Sequence, residues 1–164
     1  MLKYMKETAE LEADDRWYAE EVGLLFDLWS WPRMAGRVWA VLMVTDDPYL
    51  SAEQLAGRLQ ASSGSISSAT RFLLANGLIE RVRLAGERRD FFRFSPESLR
   101  NIYSRRVSEI GEMHRMAERA MHRFGDRPIG QGRLREMHDL YEWLEEQLET
   151  LVVRWQQERT SAIT

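Results

Sequence analysis

A mainly α fold with one small β-hairpin, an α+β arrangement, is what the sequence predicts, and three observations carry the prediction. Ser51-Ala-Glu-Gln54 has the Ser-x-x-Gln spacing of a capping box at a helix start. Asn76-Gly77 ends a second helix, and two short apolar runs rich in arginine follow it. Further on, Leu134, Met137, Tyr141, Leu144, Leu148, Leu151 and Trp155 alternate spacings of three and four, the seam of a long helix built for another helix.

Taken in order, the first helical pattern runs from about Glu7 to Trp29, with Leu11, Tyr18, Val22, Leu25 and Trp29 on one stripe. Trp31-Pro32 breaks it, because the residue before proline avoids the α region. A shorter helix runs from Arg33 to about Thr45 and stops at Asp46-Asp47-Pro48. The Ser51 hydroxyl then accepts from the Gln54 N–H and opens a short helix with Leu55, Ala56 and Leu59 on its apolar side. Gln60 and Ala61 form a turn, and Ser62 is the N-cap of a serine-rich helix that reaches Asn76. Gly77 supplies its left-handed stop. Leu78–Leu84 and Asp90–Phe94 flank Ala-Gly-Glu-Arg-Arg as two strands flank a hairpin loop. Ser95-Pro96-Glu97 starts a helix that reaches about Phe124, with Tyr103, Val107, Ile110, Met113, Ala117, Met121 and Phe124 along one side. Gly125-Asp-Arg-Pro128 ends it, and the heptad helix follows.

Capped helix, turn, second capped helix and basic hairpin, in that order, make a winged helix-turn-helix, a device for gripping duplex DNA. The expected organisation is a winged DNA-binding domain over residues 32–94 and a helical dimerisation region formed by residues 1–31 and 95–160. Long stripes of this kind cannot all be buried on so small a winged domain, so a second copy of the chain is the expected partner, in a two-fold homodimer. An intramolecular antiparallel pair of helices is the alternative.

At 164 residues the chain suffices for one compact domain or two small lobes. It has no cysteine, which excludes disulfides, thiolate metal sites and thiol redox sensing. No apolar run approaches the roughly 18–20 residues that span a bilayer, and the N-terminus lacks the apolar core of a signal peptide. A cytoplasmic chain without a membrane partner is expected. The formal net charge of −3 looks unsuited to nucleic acid until it is divided. Residues 1–50 carry 5 basic and 10 acidic side chains, residues 51–94 carry 7 and 4, and residues 95–164 carry 11 and 12. The basic excess sits on the winged segment, where phosphate contacts are needed.

Ile66, Ala69, Thr70 and Leu73 mark the buried face of the helix after Ser62. The opposite face is centred on Gly64, Ser68, Arg71 and Ala75, flanked by Ser65 and Ser67. Small residues there let the backbone approach a groove floor, while serine hydroxyls bond phosphate or either base type. Ser62 and Ser63, with the free N–H groups of the helix start, suit a phosphate. Arg71 is the one long cationic reader on this helix, and a phosphate role is open to it equally with guanine contact. In the hairpin, alternation puts Val82 and Leu84 on one face, with Arg81 and Arg83 on the other. Gly86 permits the bend and leaves Arg88 and Arg89 near the tip, suited to a narrow minor groove. The competing reading is a solvated hairpin in which Glu87 and Asp90 pair with these cations.

These residues resemble the MarR superfamily of winged-helix regulators, and in particular its GbsR-like branch. The resemblance is carried by Pro32-Arg-Met-Ala-Gly-Arg-Val38, Asp47-Pro48, Leu50-Ser-Ala-Glu-Gln-Leu-Ala56, Ser65-Ile-Ser67, Ala69-Thr-Arg71, Gly77-Leu-Ile-Glu-Arg-Val-Arg83 and Gly86-Glu-Arg-Arg-Asp90. It covers roughly residues 32–94; the terminal helices match only in length and heptad character. It implies a homodimeric repressor or activator on an inverted-repeat operator, with a small ligand held in many relatives between the helical and winged lobes. Some GbsR-like relatives respond to choline or related osmolytes.

Trp17, Trp29, Trp31 and Trp39 are candidates for an effector site, since aromatic faces cage quaternary ammonium groups or line apolar pockets. Core or dimer packing is the stronger explanation for them. Arg33 and Arg37, one turn apart, pair with Asp27 or Asp47 or else anchor an acidic effector. His114, His122 and His138 lack a ligand spacing with carboxylates, so no metal site is expected. There is no phosphate loop, no nucleophile elbow and no catalytic histidine pairing, so neither an enzyme nor a cofactor is expected. The expectation is a homodimeric transcriptional repressor reading double-stranded DNA, with a small-molecule effector. The alternative is a winged-helix adaptor that docks its basic hairpin on an acidic protein.

Overall fold

The computed structural model describes residues 11–162, the side chains of Glu149, Val152, Gln156 and residues 159–162 excepted. The first residues of the expected N-terminal helix, Glu7 to Glu10, lie outside that range. Among the described residues the order is α1 (Ala13–Leu28), α2 (Arg33–Val44), β1 (Leu50–Ser51), α3 (Ala52–Leu59), α4 (Ser63–Ala75), β2 (Ile79–Val82), β3 (Phe91–Phe94), α5 (Ser98–Arg123) and α6 (Pro128–Ala162). The expected fold class is the one found. Two compact units divide the chain, the first ending at Asn101 and the second beginning at Ile102.

In the first unit α1 packs on α2, α2 on α4, and α3 on α4. The buried face of α1 is Ala19, Val22, Gly23 and Phe26, spaced as one helical stripe. Leu25, expected on that stripe, is 41% exposed. The reason is steric. A Cβ on Gly36 of α2 would lie 2.7 Å from the Val22 carbonyl oxygen and 2.9 Å from the Gly23 Cα, so the two backbones meet through their small residues. The face of α1 that meets this seam is Ala19, Val22, Gly23 and Phe26, and Leu25, to one side of it, is left outside.

The sheet is three-stranded and antiparallel, in the order β1-β3-β2. Glu80 pairs with Arg93 and Val82 with Phe91 in the hairpin; Leu50 pairs with Phe92 at the other edge. Strand β1 has only two residues and lies outside the two-strand hairpin expected from sequence. It exists because β3 offers a second edge whose backbone groups need partners. The core beneath the sheet gathers Val38, Val41, Leu50, Leu55, Ile66, Leu73 and Leu78, all essentially inaccessible. Two polar groups enter it satisfied: Thr70 Oγ1 donates to the Ile66 carbonyl at 2.9 Å, and Trp39 Nε1 donates to Ser98 Oγ at 2.7 Å.

The second unit contains α6 and most of α5. α5 begins at Ser98, slightly later than the Ser-Pro-Glu signal puts it, because Ser95 caps a turn in which its Oγ accepts from the Glu97 N–H at 3.3 Å. Within the unit Tyr103 Oη donates to the Leu148 carbonyl, and Gln131 Nε2 donates to the Met121 carbonyl at 2.6 Å. The first contact joins the early part of α5 to the later part of α6 and the second joins the end of α5 to the start of α6, so the two helices run antiparallel. Leu134, Met137, Tyr141, Leu144 and Leu148 are half-buried, whereas Leu151 and Trp155 are exposed, at 54% and 49%.

Candidate nucleic-acid interface

The start of α3 is fixed by both halves of the capping box. Ser51 Oγ accepts from the Gln54 N–H at 3.1 Å, and Gln54 Oε1 accepts from the Ser51 N–H at 2.8 Å. Gln60, in the left-handed region at φ 49°, ends α3, and Arg37 Nη2 donates to the Leu59 carbonyl at 3.2 Å. Ser62 then caps α4 by accepting from the Ser65 N–H at 3.2 Å.

α4 stops in a Schellman turn. The Leu78 N–H donates to the Leu73 carbonyl at 2.9 Å and the Gly77 N–H to the Leu74 carbonyl at 3.1 Å, with Gly77 at φ +64°. Asn101 Nδ2 donates to the Gly77 carbonyl at 2.8 Å. These bonds aim the helix and feed the chain directly into β2.

On α4, Ile66, Ala69, Thr70 and Leu73 are buried. Ser62, Ser63, Gly64, Ser65, Ser67, Ser68 and Arg71 are exposed together along the opposite side. Around Gly64 a Cβ would meet nothing nearer than Ser62 Oγ at 4.0 Å. The result is a low, hydroxylated ridge with one guanidinium.

The wing turns at Gly86, which takes φ +83°. Its cations are not equivalent. Arg93 Nε lies 2.7 Å from Glu80 Oε2, directly across the β2–β3 ladder, and Arg81 lies 3.4 Å from Asp90. Arg89 contacts Glu87 at 3.2 Å and Glu53 of α3 at 3.6 Å, and its guanidinium sits 5.8 Å from the Phe91 ring centre. Arg58 lies 2.5 Å from Asp47. Within residues 51–94 the four acidic side chains therefore engage Arg81, Arg89 and Arg93, while Arg58 pairs outside the segment. Arg71, Arg83 and Arg88 have no acidic partner among the described residues and are exposed. These three side chains are the cations of the segment that carboxylates leave uncompensated.

Of the tryptophans, Trp29, Trp31 and Trp39 gather around Phe26, with ring centres 5.8, 5.1 and 5.8 Å from it. Trp31 also meets Phe72, and Trp39 meets Phe94. Trp31 and Trp39 are buried, so their rings serve as packing surface of the first unit. Trp17 stands apart, 63% exposed. Arg33 and Arg37 both reach Glu20 at 2.8 Å, rather than the Asp27 or Asp47 expected from sequence. Glu20 lies on α1, one turn before the Gly23–Gly36 approach, which brings it opposite both arginines. An open groove along α5 and α6 is lined by Tyr103, Val107, Arg115, Glu145 and Val153.

Sequence reasoning missed one cluster altogether. His114 of α5 and His138 of α6 approach with Nε2 atoms 3.2 Å apart, and Glu142 brings its carboxylate to the same place. A separation of 24 positions across two helices leaves no periodic signal, so only the antiparallel pairing reveals it.

A model of MmpR5-like MarR family transcriptional regulators matches residues 97–158. The HTH-type transcriptional regulator MmpR5 of Mycobacterium tuberculosis is 36% identical over 147 residues, 89% of this chain and 89% of that protein. This chain belongs to the MarR family of transcriptional regulators, in its MmpR5-like group. A solved structure described as a transcriptional regulator has 36% identity and a TM-score of 0.72, covering 88% of this chain and 99% of that one. This MarR-family chain is thus a regulator and not an enzyme. Among the described residues no helix is long and apolar enough to cross a membrane.

Proposed function

We propose that the chain is a homodimeric repressor that binds an inverted-repeat operator through α4 and the wing. The observation that carries this reading is the segregation of uncompensated charge: Arg71, Arg83 and Arg88 flank a ridge of small hydroxylated residues, and acidic side chains neutralise the other arginines of the segment. α4 enters the major groove, where Ser65, Ser67 and Ser68 meet base edges or phosphate and Ser62 and Ser63 hold a phosphate at the helix start. Arg83 and Arg88 take the adjoining backbone or minor groove. Arg89 joins them once it leaves Glu87 and Glu53, an exchange of one exposed ion pair for another that costs little. Two-fold symmetry sets the half-sites about 34–36 Å apart.

The second copy is supported by the apolar surface that one chain leaves exposed on the second unit: Leu140, Trp143, Leu151, Val153 and Trp155. A small-molecule effector acts by binding one dimer shape better than the other. The buried state of Trp31 and Trp39 favours a site other than a four-tryptophan cage.

The test is duplex binding by fluorescence anisotropy at two salt concentrations. Steep loss of affinity with salt is expected, because each phosphate contact releases counterions. Arg83→Ala with Arg88→Ala should weaken binding at least tenfold and flatten that salt dependence. Unchanged affinity in the double variant overturns the wing assignment. Indifference of the native chain to every duplex, its own upstream region included, points instead to an adaptor of acidic proteins.

A further inference from the structure

We infer that His114, His138 and Glu142 form a binding site for a divalent transition-metal ion of the zinc type, held between α5 and α6 within the second unit. The inference stands on these side chains and does not depend on DNA binding. His114 Nε2 and His138 Nε2 face each other at 3.2 Å, with the rings nearly perpendicular at 75° and their centres 4.7 Å apart. Two nitrogens bound tetrahedrally to zinc at about 2.0–2.1 Å lie about 3.3 Å apart, so the pair already spans one edge of such a polyhedron. The ligand atoms of all three residues lie within 4.8 Å of one another. Glu142 is exposed, so a turn of its side chain suffices to bring its oxygen in.

The surroundings of the two rings are those of metal ligands. His114 Nδ1 lies 3.0 Å from Glu145 Oε2, and His138 Nδ1 lies 3.0 Å from Asp139 Oδ1. A carboxylate at each Nδ1 favours the tautomer protonated there, which aims both Nε2 lone pairs at one point. Two facing lone pairs repel unless a cation or a shared proton lies between them. Imidazole nitrogens rule out calcium and magnesium as the matched ions, and two nitrogens with one carboxylate and a water suit zinc. Room for this arrangement is built into α5: a Cβ at the buried Gly111 would collide with the Glu145 carboxylate. Glu145 also faces Arg115 at 3.9 Å, and Arg115 pairs with Glu112 at 2.9 Å, so its charge is shared away from the rings. His122 is exposed on the last turn of α5 and is the natural control.

The test uses the full chain, freed of metal by a chelator, titrated with Co²⁺ and followed by visible absorption. One saturable site per chain is expected, with the strong ligand-field bands of four-coordinate cobalt, reversed by adding Zn²⁺. His114→Gln and His138→Gln should each weaken binding at least tenfold. Glu145→Gln should weaken it about 10–100-fold through loss of ring orientation, and His122→Gln should leave it unchanged. A fold-independent readout is the imidazole NMR spectrum of the native chain, in which Zn²⁺ should shift His114 and His138 and leave His122 in place. Absence of saturable binding, native affinity in the two histidine variants, or shifts confined to His122 overturns the site and leaves a shared proton as what the rings hold.

Discussion

At Gly36 the physics is decided by a few tenths of an ångström. Alanine in the middle of a helix normally gains about 0.5–1 kcal/mol over glycine by restricting the unfolded chain. Here the added methyl would sit 2.7 Å from the Val22 carbonyl oxygen and 2.8 Å from the Phe26 ring, and a backbone oxygen cannot swing away. Overpacking of that kind costs about 1–3 kcal/mol, which outweighs the gain. Gly36→Ala is expected to lower the melting temperature, by about 2–4 °C for each net kcal/mol in a chain of this size. The comparison variant is Gly132→Ala on α6, where nothing lies within 4 Å and the same substitution should raise it. Thermal unfolding followed by circular dichroism separates the two; equal shifts would mean that the α1–α2 crossing is looser than its geometry. The surface arginines obey the same logic of local partners. Arg81 and Arg93 look identical to Arg83 in sequence, yet cross-strand carboxylates hold the first two and leave the third.

Among the elements, α4 is the one our proposal assigns to recognition, because its two faces are so unlike. Replacing Gly64 with leucine separates folding from recognition. The position is exposed within the first turn of the helix and has open space around it, so stability should hold or rise slightly. A leucine on the ridge would keep the backbone off the groove floor, and duplex affinity should fall at least tenfold. Full affinity in a stable Gly64→Leu variant would remove α4 as the reading helix. Much of this element was legible in sequence: the Ser62 cap, the stripe of Ile66, Ala69, Thr70 and Leu73, and the Gly77 stop are local signals, and locally determined geometry followed. The capping box of α3 was equally readable. What escaped depends on partners distant in sequence. Strand β1 is made by the free edge of β3, the inner face of α1 by two glycines meeting, the Glu20 partnership by that same approach, and the His114–His138 pair by antiparallel helices.

For the whole molecule the question is what covers the apolar surface of the second unit. The seam residues Leu134, Met137, Tyr141, Leu144 and Leu148 are half-buried within one chain, so much of the heptad stripe already has an intramolecular neighbour. The remaining apolar side chains, Leu140, Trp143, Leu151, Val153 and Trp155, stay exposed and carry the case for a second copy. Exposed apolar side chains of this size are what an interface between copies would cover. The distinction matters for mutagenesis. Lysine at Leu144 and Leu148 would disturb α5 against α6 in the monomer itself, confounding assembly with folding. Lysine at Leu151 and Trp155 should spare the fold and abolish the dimer. Sedimentation of the Leu151→Lys, Trp155→Lys variant is expected to give a helical monomer, whereas the native chain gives a dimer whose melting temperature rises with concentration. Duplex affinity should fall with assembly, because half-sites bound one at a time lose the effective concentration that linkage supplies. A variant that remains dimeric would shift the interface to the other exposed apolar face, Leu24, Leu25 and Leu28 on α1.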